Sequence, residues 1–146
     1  MCYLLLILIS CSSDNIEEHA DPADLNNYFQ TNSVDTVPAL FAPEIISTGH
    51  HEHSSVIISP DNTHIFFTTA DNPQHLIWEI EKKNNRWGQP EVAGFSGNYS
   101  DDSPFFSADG NKLYFESKRP LSESSGASDW SIWYVEKSNG RWSEAK

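Results

Sequence analysis

From residue 56 to the end of the chain, apolar residues come in short runs separated by Ser, Asp, Asn, Gly and Pro, and within the runs they alternate with polar residues. That is the period of strands, not of helices. Val56-Ile57-Ile58 and Pro104-Phe105-Phe106 each predict a strand, closed by a turn in which Pro60 presets φ and Asn62 or Gly110 takes the left-handed conformation. A second strand follows at once; over residues 112–116 the alternation puts Leu113 and Phe115 on one face. A third, over 76–82 and again over 131–137, pairs Trp78 with Ile80 and Trp133 with Val135. Asn84-Asn85 and Asn139-Gly140 predict two-residue hairpins with positive φ, leading into a short fourth strand from Trp87 or Trp142.

These strands belong to a repeat. Ala42-Pro43-Glu44-Ile45 returns as Gln89-Pro90-Glu91-Val92, 47 residues on. Ser59-Pro60-Asp61-Asn62 with Ile65-Phe66-Phe67 returns as Ser107-Ala108-Asp109-Gly110 with Leu113-Tyr114-Phe115 at a step of 48. Ile77-Trp78 and Asn84-Asn85-Arg86-Trp87 return as Ile132-Trp133 and Asn139-Gly140-Arg141-Trp142 at a step of 55. The increase of seven places an insertion in residues 119–129, whose Ser, Gly and Pro content marks a surface loop. Four short antiparallel strands in a unit of about 47 residues predict an all-β chain of β-propeller blades.

The motifs S-P-D-N-x-x-I-F-F and S-A-D-G-x-x-L-Y-F, each followed by I-W and then R-W, resemble the WD40-like propeller repeat of TolB-type proteins over roughly the last 105 residues. Asn62 stands where the family has Gly, and Ala108 where it has Pro. Residues 38–90 form the first expected blade and 91–146 the second. Propellers commonly use about four to eight blades, so two do not close a ring, and the expectation is the N-terminal part of a longer protein with six to eight. On that view the Leu113, Phe115 and Trp133 side of the second unit lacks its neighbour.

Ahead of the repeat, Tyr3-Leu4-Leu5-Leu6-Ile7-Leu8-Ile9 is an uncharged apolar run, too short for the roughly 20 residues of a spanning helix and of the length of a secretory signal centre. Leu8-Ile9-Ser10-Cys11 resembles the lipobox of bacterial lipoproteins. The resemblance implies that residues 1–10 are removed and that Cys11 is the lipid attachment. No other Cys remains after cleavage, which excludes a disulfide framework and a thiolate metal site. Residues 11–37, with S-S-D-N, E-E, D-P-A-D and N-N, read as an acidic flexible tether. A Ser-rich, acidic start resembles outer-membrane lipoproteins of the Bacteroidetes type, facing the periplasm or the cell surface.

Charge narrows the partners. All 9 basic residues lie at Lys82 or later, so the first 81 residues carry the whole net charge of -12 and the remainder is balanced. A chain of pI near 4.7 is unsuited to neutralising phosphates, which sets nucleic acid aside. A hydrophobic content of 38% with 5 Trp is too rich for a wholly disordered acidic chain.

Candidate chemistry is sparse. In His50-His51-Glu52-His53, a strand would put His51 and His53 on one face, two ligands for a zinc whose third must come from elsewhere; the expectation is no metal site. Glu52, Asp101 and Asp102 are candidates for an acidic rim at a propeller channel, and Asp61 and Asp109 for turn aspartates that bond their own backbone. Of the five Trp, only Trp130 lacks a counterpart, its aligned neighbour being His75. No nucleophile elbow, phosphate-cradling Gly-rich loop or His-Glu zinc helix motif is present. The expected function is a lipid-anchored, non-catalytic binding or scaffold module for a protein, peptide or glycan of the cell envelope, with no cofactor and with the membrane met only through the lipid. The alternative is the propeller part of a cell-envelope hydrolase or of a peptidoglycan-associated protein.

Overall fold

The computed structural model describes residues 25, 38, 40–71, 73–122, 126 and 129–146. The signal run, Cys11 and all of the tether but Leu25 lie outside the described residues.

The described residues form an all-β structure of two antiparallel sheets. The first contains β1 (Glu52–Ile58), β2 (His64–Thr69), β3 (Leu76–Lys83) and β4 (Arg86–Trp87) in that order, with β5 (Glu91–Val92) also pairing with β3. The second contains β6 (Asp101–Phe106), β7 (Lys112–Ser117), β8 (Ser131–Ser138) and β9 (Arg141–Trp142). Turn chemistry sets the joints. Asn84, Asn85, Asn139 and Gly140 all have positive φ, which lets a two-residue hairpin follow the strand twist. In both units a Ser hydroxyl donates to the turn aspartate at 2.6 Å, Ser59 to Asp61 and Ser107 to Asp109. The amides of Thr63 and Asn111 donate to the same carboxylates at 3.1 Å, so these aspartates do bond backbone two residues on.

The repeat extends to a short strand that the sequence pattern did not separate. β5 pairs Glu91 with Glu79, and one step of 55 later Lys146 and Tyr134 exchange backbone hydrogen bonds of 2.9 and 3.0 Å. Glu91 and Val92, assigned by motif to the second unit, thus hydrogen-bond to the first sheet. The connecting segment runs back along the part of the β3 edge that the two-residue β4 leaves open, covering donors and acceptors that would otherwise be unpaired.

Sheet 1 is covered on both faces. Ile65, Phe67 and Ile80 point to one side, where Leu25, Ala42, Ile45 and Ile46 pack on them. Leu25 comes from the segment read as a solvated tether, but this apolar face buries it. Phe66 and Ile77 point to the other side and meet Phe106, Leu113, Phe115 and Val135 of sheet 2. Burying each such side chain contributes about 1.5–3 kcal/mol, so this shared core holds the sheets together. The Leu113 and Phe115 side is therefore the buried one, contrary to expectation. Alternation tells which residues share a face; it does not tell on which face the neighbour sits. The exposed face of sheet 2 carries Phe105, Tyr114 and Ile132, the last 69% exposed.

Candidate functional site

The site lies where the first strands of the two sheets run side by side. Both strands are interrupted by a bulge. In β1 the pairing passes from His53↔Thr68 to Ile57↔Phe66, and in β6 from Asp102↔Glu116 to Phe105↔Tyr114. The first bulge holds three residues and the second two, so His53 is the structural counterpart of Asp102 at a step of 49, not 48. Ser54 and Ser103, the next residues, share an unusual positive φ of 60° and 52°. A bulge of this kind re-aims the side chains beside it.

Adjacent equivalent strands bring those side chains together. His53 Nδ1 and His75 Nδ1 each lie 2.7 Å from Asp102 Oδ2, and the two imidazole rings meet edge-on with centroids 5.1 Å apart. His75 stands just before β3. Its amide donates to Ser100 Oγ at 3.2 Å, and its carbonyl accepts from the Asp101 amide at 3.0 Å, so the segment entering β6 holds it by both backbone groups. Its ring also meets Trp130 at 5.4 Å, and Lys118 Nζ lies 5.0 Å from the Trp130 ring. Asp102 Oδ1 accepts from the Ser103 amide at 2.6 Å. The Asp102 side chain is 3% exposed, that of His75 27% and that of His53 46%.

Burial acts to raise the Asp102 carboxyl, but the His75 hydrogen bond, the Ser103 amide and the charges of the imidazoles outweigh it. The net direction is downward, so Asp102 is a carboxylate at neutral pH. Two imidazole nitrogens and one carboxylate oxygen within 4.8 Å of one another form a donor set that can hold a metal ion, or a hydrogen-bonded triad.

The other candidate residues go elsewhere. His51 meets the His53 ring edge-on at 5.9 Å but stands outside this donor set, and its amide donates to Asp71. His50 Nδ1 pairs with Asp71 at 2.9 Å. Glu52 is exposed and accepts from the Thr48 amide at 2.8 Å, the bond that chiefly lowers its carboxyl. Asp101 and Asp102 open β6 rather than preceding it, and both are buried. Asp101 Oδ1 accepts from Arg119 Nη2 at 2.8 Å and from Ser117 Oγ at 2.6 Å. Sequence reasoning passed over His75 as a member of this cluster and Arg119 as a partner; the one available signal was the alignment of His75 with Trp130, the unit's unmatched aromatic.

No family model, curated protein or solved structure matches this chain.

Proposed function

We propose that the two sheets are WD40-like, TolB-type propeller blades, carried on a lipid at Cys11 in the bacterial cell envelope, and that they serve as a non-catalytic binding or scaffold module. The supporting observation is how the repeat packs. Ile57, Phe66 and Ile77 form the face of sheet 1 that receives sheet 2. Their counterparts Phe105, Tyr114 and Ile132 form the same face of sheet 2, and it is exposed. A unit that packs by presenting this face to the next unit's Leu113–Phe115 side offers it again at the following step, as blades around a propeller axis do.

Of the partner classes, protein fits this face best. It is a pleated surface of Phe105, Tyr114, Ile132 and Tyr134, complementary to another sheet of the same design, and the lysine beside it, Lys112, is paired with Glu136 rather than free for a phosphate. The occupant we assign is a further sheet of this repeat, from the same or another chain.

The experiment is hydrophobic-dye fluorescence together with sedimentation of the purified chain, beside the double variant Phe105→Ser, Ile132→Ser. Wild type should bind dye and self-associate. The variant should do neither while keeping its strand circular dichroism, since both residues are already in water. A wild-type chain that is monomeric and dye-free would sink the proposal.

A further inference from the structure

We propose that His53, His75 and Asp102 form a three-ligand site for a divalent first-row transition ion, zinc(II) foremost, and that the ion ties the first sheet to the second. Three features carry this beyond the binding-module reading. The donor chemistry is right: imidazole and carboxylate ligands suit zinc, and three protein ligands with water in a fourth position is a usual arrangement for an accessible zinc. The ligands come from three separate segments, His53 on β1, His75 before β3 and Asp102 on β6, so one ion would bridge both sheets. And the site is buried at its carboxylate while open at its imidazoles, which gives the ion a charged anchor and a path in from solvent.

Tetrahedral ligands at zinc bond lengths of about 2.0–2.1 Å sit about 3.3 Å from one another, so each Asp102–imidazole pair now 2.7 Å apart opens by roughly 0.6 Å, and the two imidazole nitrogens, within 4.8 Å of one another, settle to the same spacing. The half-exposed His53 ring has room for this. The ion binds each imidazole through Nδ1 in the tautomer that carries its proton on Nε2. The strongly acidic chain adds a favourable field for any cation.

The role follows from the placement. A bridge between sheets resists their separation, and an ion that binds the assembled pair but not the unfolded chain raises stability in proportion to its concentration over its dissociation constant.

The test is calorimetric titration of the untagged full chain with zinc chloride at neutral pH, paired with thermal melts with and without zinc. Wild type should take up one zinc per chain and melt at a higher temperature when loaded. His75→Ala, a partly exposed change that spares the core, should weaken binding by at least roughly tenfold, the low end of what even outer-shell changes cost at metal sites, and should abolish the melting shift. His53→Ala should do the same. His51→Ala should change neither, since His51 is outside the donor set. Absence of saturable one-to-one binding overturns the site. So does binding that survives His75→Ala, or that is lost in His51→Ala, because either outcome assigns the zinc to the consecutive histidines alone. The circular dichroism of each variant is compared with wild type, and the melting shift of His53→Ala decides the matter should His75→Ala fail to fold. Dye binding by the outer face of sheet 2 is independent of zinc, so failure here leaves the binding-module reading to its own experiment.

Discussion

Arg119→Leu should be among the most damaging single changes in this protein. The Arg119 guanidinium is enclosed. It donates through Nη2 to Asp101 Oδ1 at 2.8 Å and to the Phe95 carbonyl at 3.1 Å, and through Nε to Ser117 Oγ at 2.8 Å. It also lies 4.9 Å from the Phe115 ring and 5.4 Å from that of Trp133. Leucine keeps part of the aromatic packing and the backbone bond to Ser117 Oγ but loses every polar bond of the side chain. What remains is Asp101, fully buried, with Ser117 as its surviving side-chain donor and an Oδ2 that has no hydrogen-bond partner among the described residues even in wild type. Removing one member of a buried pair costs about 3–5 kcal/mol, chiefly through the charge left behind. Domains of this kind hold about 5–15 kcal/mol in all. With a urea dependence of about 1.5–2 kcal/mol per molar, the unfolding midpoint should fall by roughly 2 M. Adding Asp101→Asn should then restore about 2 kcal/mol, because an unpaired amide is cheaper to bury than an unpaired carboxylate. Urea titration followed by Trp fluorescence measures both. A midpoint within about 0.5 M of wild type for Arg119→Leu, or a double variant weaker than the single, would refute the reasoning.

Three further outcomes are expected. Gly110→Ala should cost about 1–2 kcal/mol in the same titration, since φ is +71° and the new Cβ would meet Pro60 Cδ at 3.2 Å; Asn62→Gly, at the matching position with φ 55°, should cost no more than a few tenths. The Ser107 hydroxyl, then the Asn111 amide and side chain, hold the Asp109 carboxyl at about 2, below its ordinary 3.8. Because the folded value is depressed, the stabilisation from this turn is complete above about pH 4 and is lost as pH falls through about 2. Carboxyl titration by NMR should show the low midpoint in wild type and a return toward 3.8 in Ser107→Ala; an unchanged midpoint would remove Ser107 as the cause. Cys11→Ala should abolish incorporation of labelled palmitate while leaving the apolar run intact, and equal labelling of the variant would overturn the lipid-anchor proposal.

The elements with local causes were legible. Hairpins at Asn84-Asn85 and Asn139-Gly140 follow from φ preferences confined to two residues, and the Ser-x-Asp turns from side chains that reach their own backbone. Alternation found each long strand to within a few residues, and it named Leu113 and Phe115 as sharing a face. What alternation could not carry was the side on which the neighbour lies, because both faces of β2 are apolar. The partners of Asp101 and Asp102 were hidden for a related reason. Adjacent carboxylates read as an acidic rim when their compensating groups are unseen, and here those groups are Arg119, eighteen residues later, and two histidines of the first unit.

The cluster itself was hidden by one residue. Aligning the units on their turn motifs fixes a step of 48 and sets Asp102 opposite Ser54, a serine with nothing to ligate. The β1 bulge holds one residue more than the β6 bulge, so upstream of it the true step is 49 and Asp102 stands opposite His53. Sequence spacing cannot reveal this, since an extra residue in a bulge leaves the flanking strand pattern readable on either side. Four consecutive polar residues at His50 to His53 then draw the eye to neighbours in sequence, whereas a strand sends neighbours in sequence to opposite faces and gathers residues from adjacent strands. The same repeat packing that exposes the Phe105 and Ile132 face thus sets each unit's bulged strand beside the next, and chemistry arises at that seam only where the two bulges present different residues. With His at one and Asp at the other, the seam between these sheets carries a charge and two ligands in place of a repeated side chain.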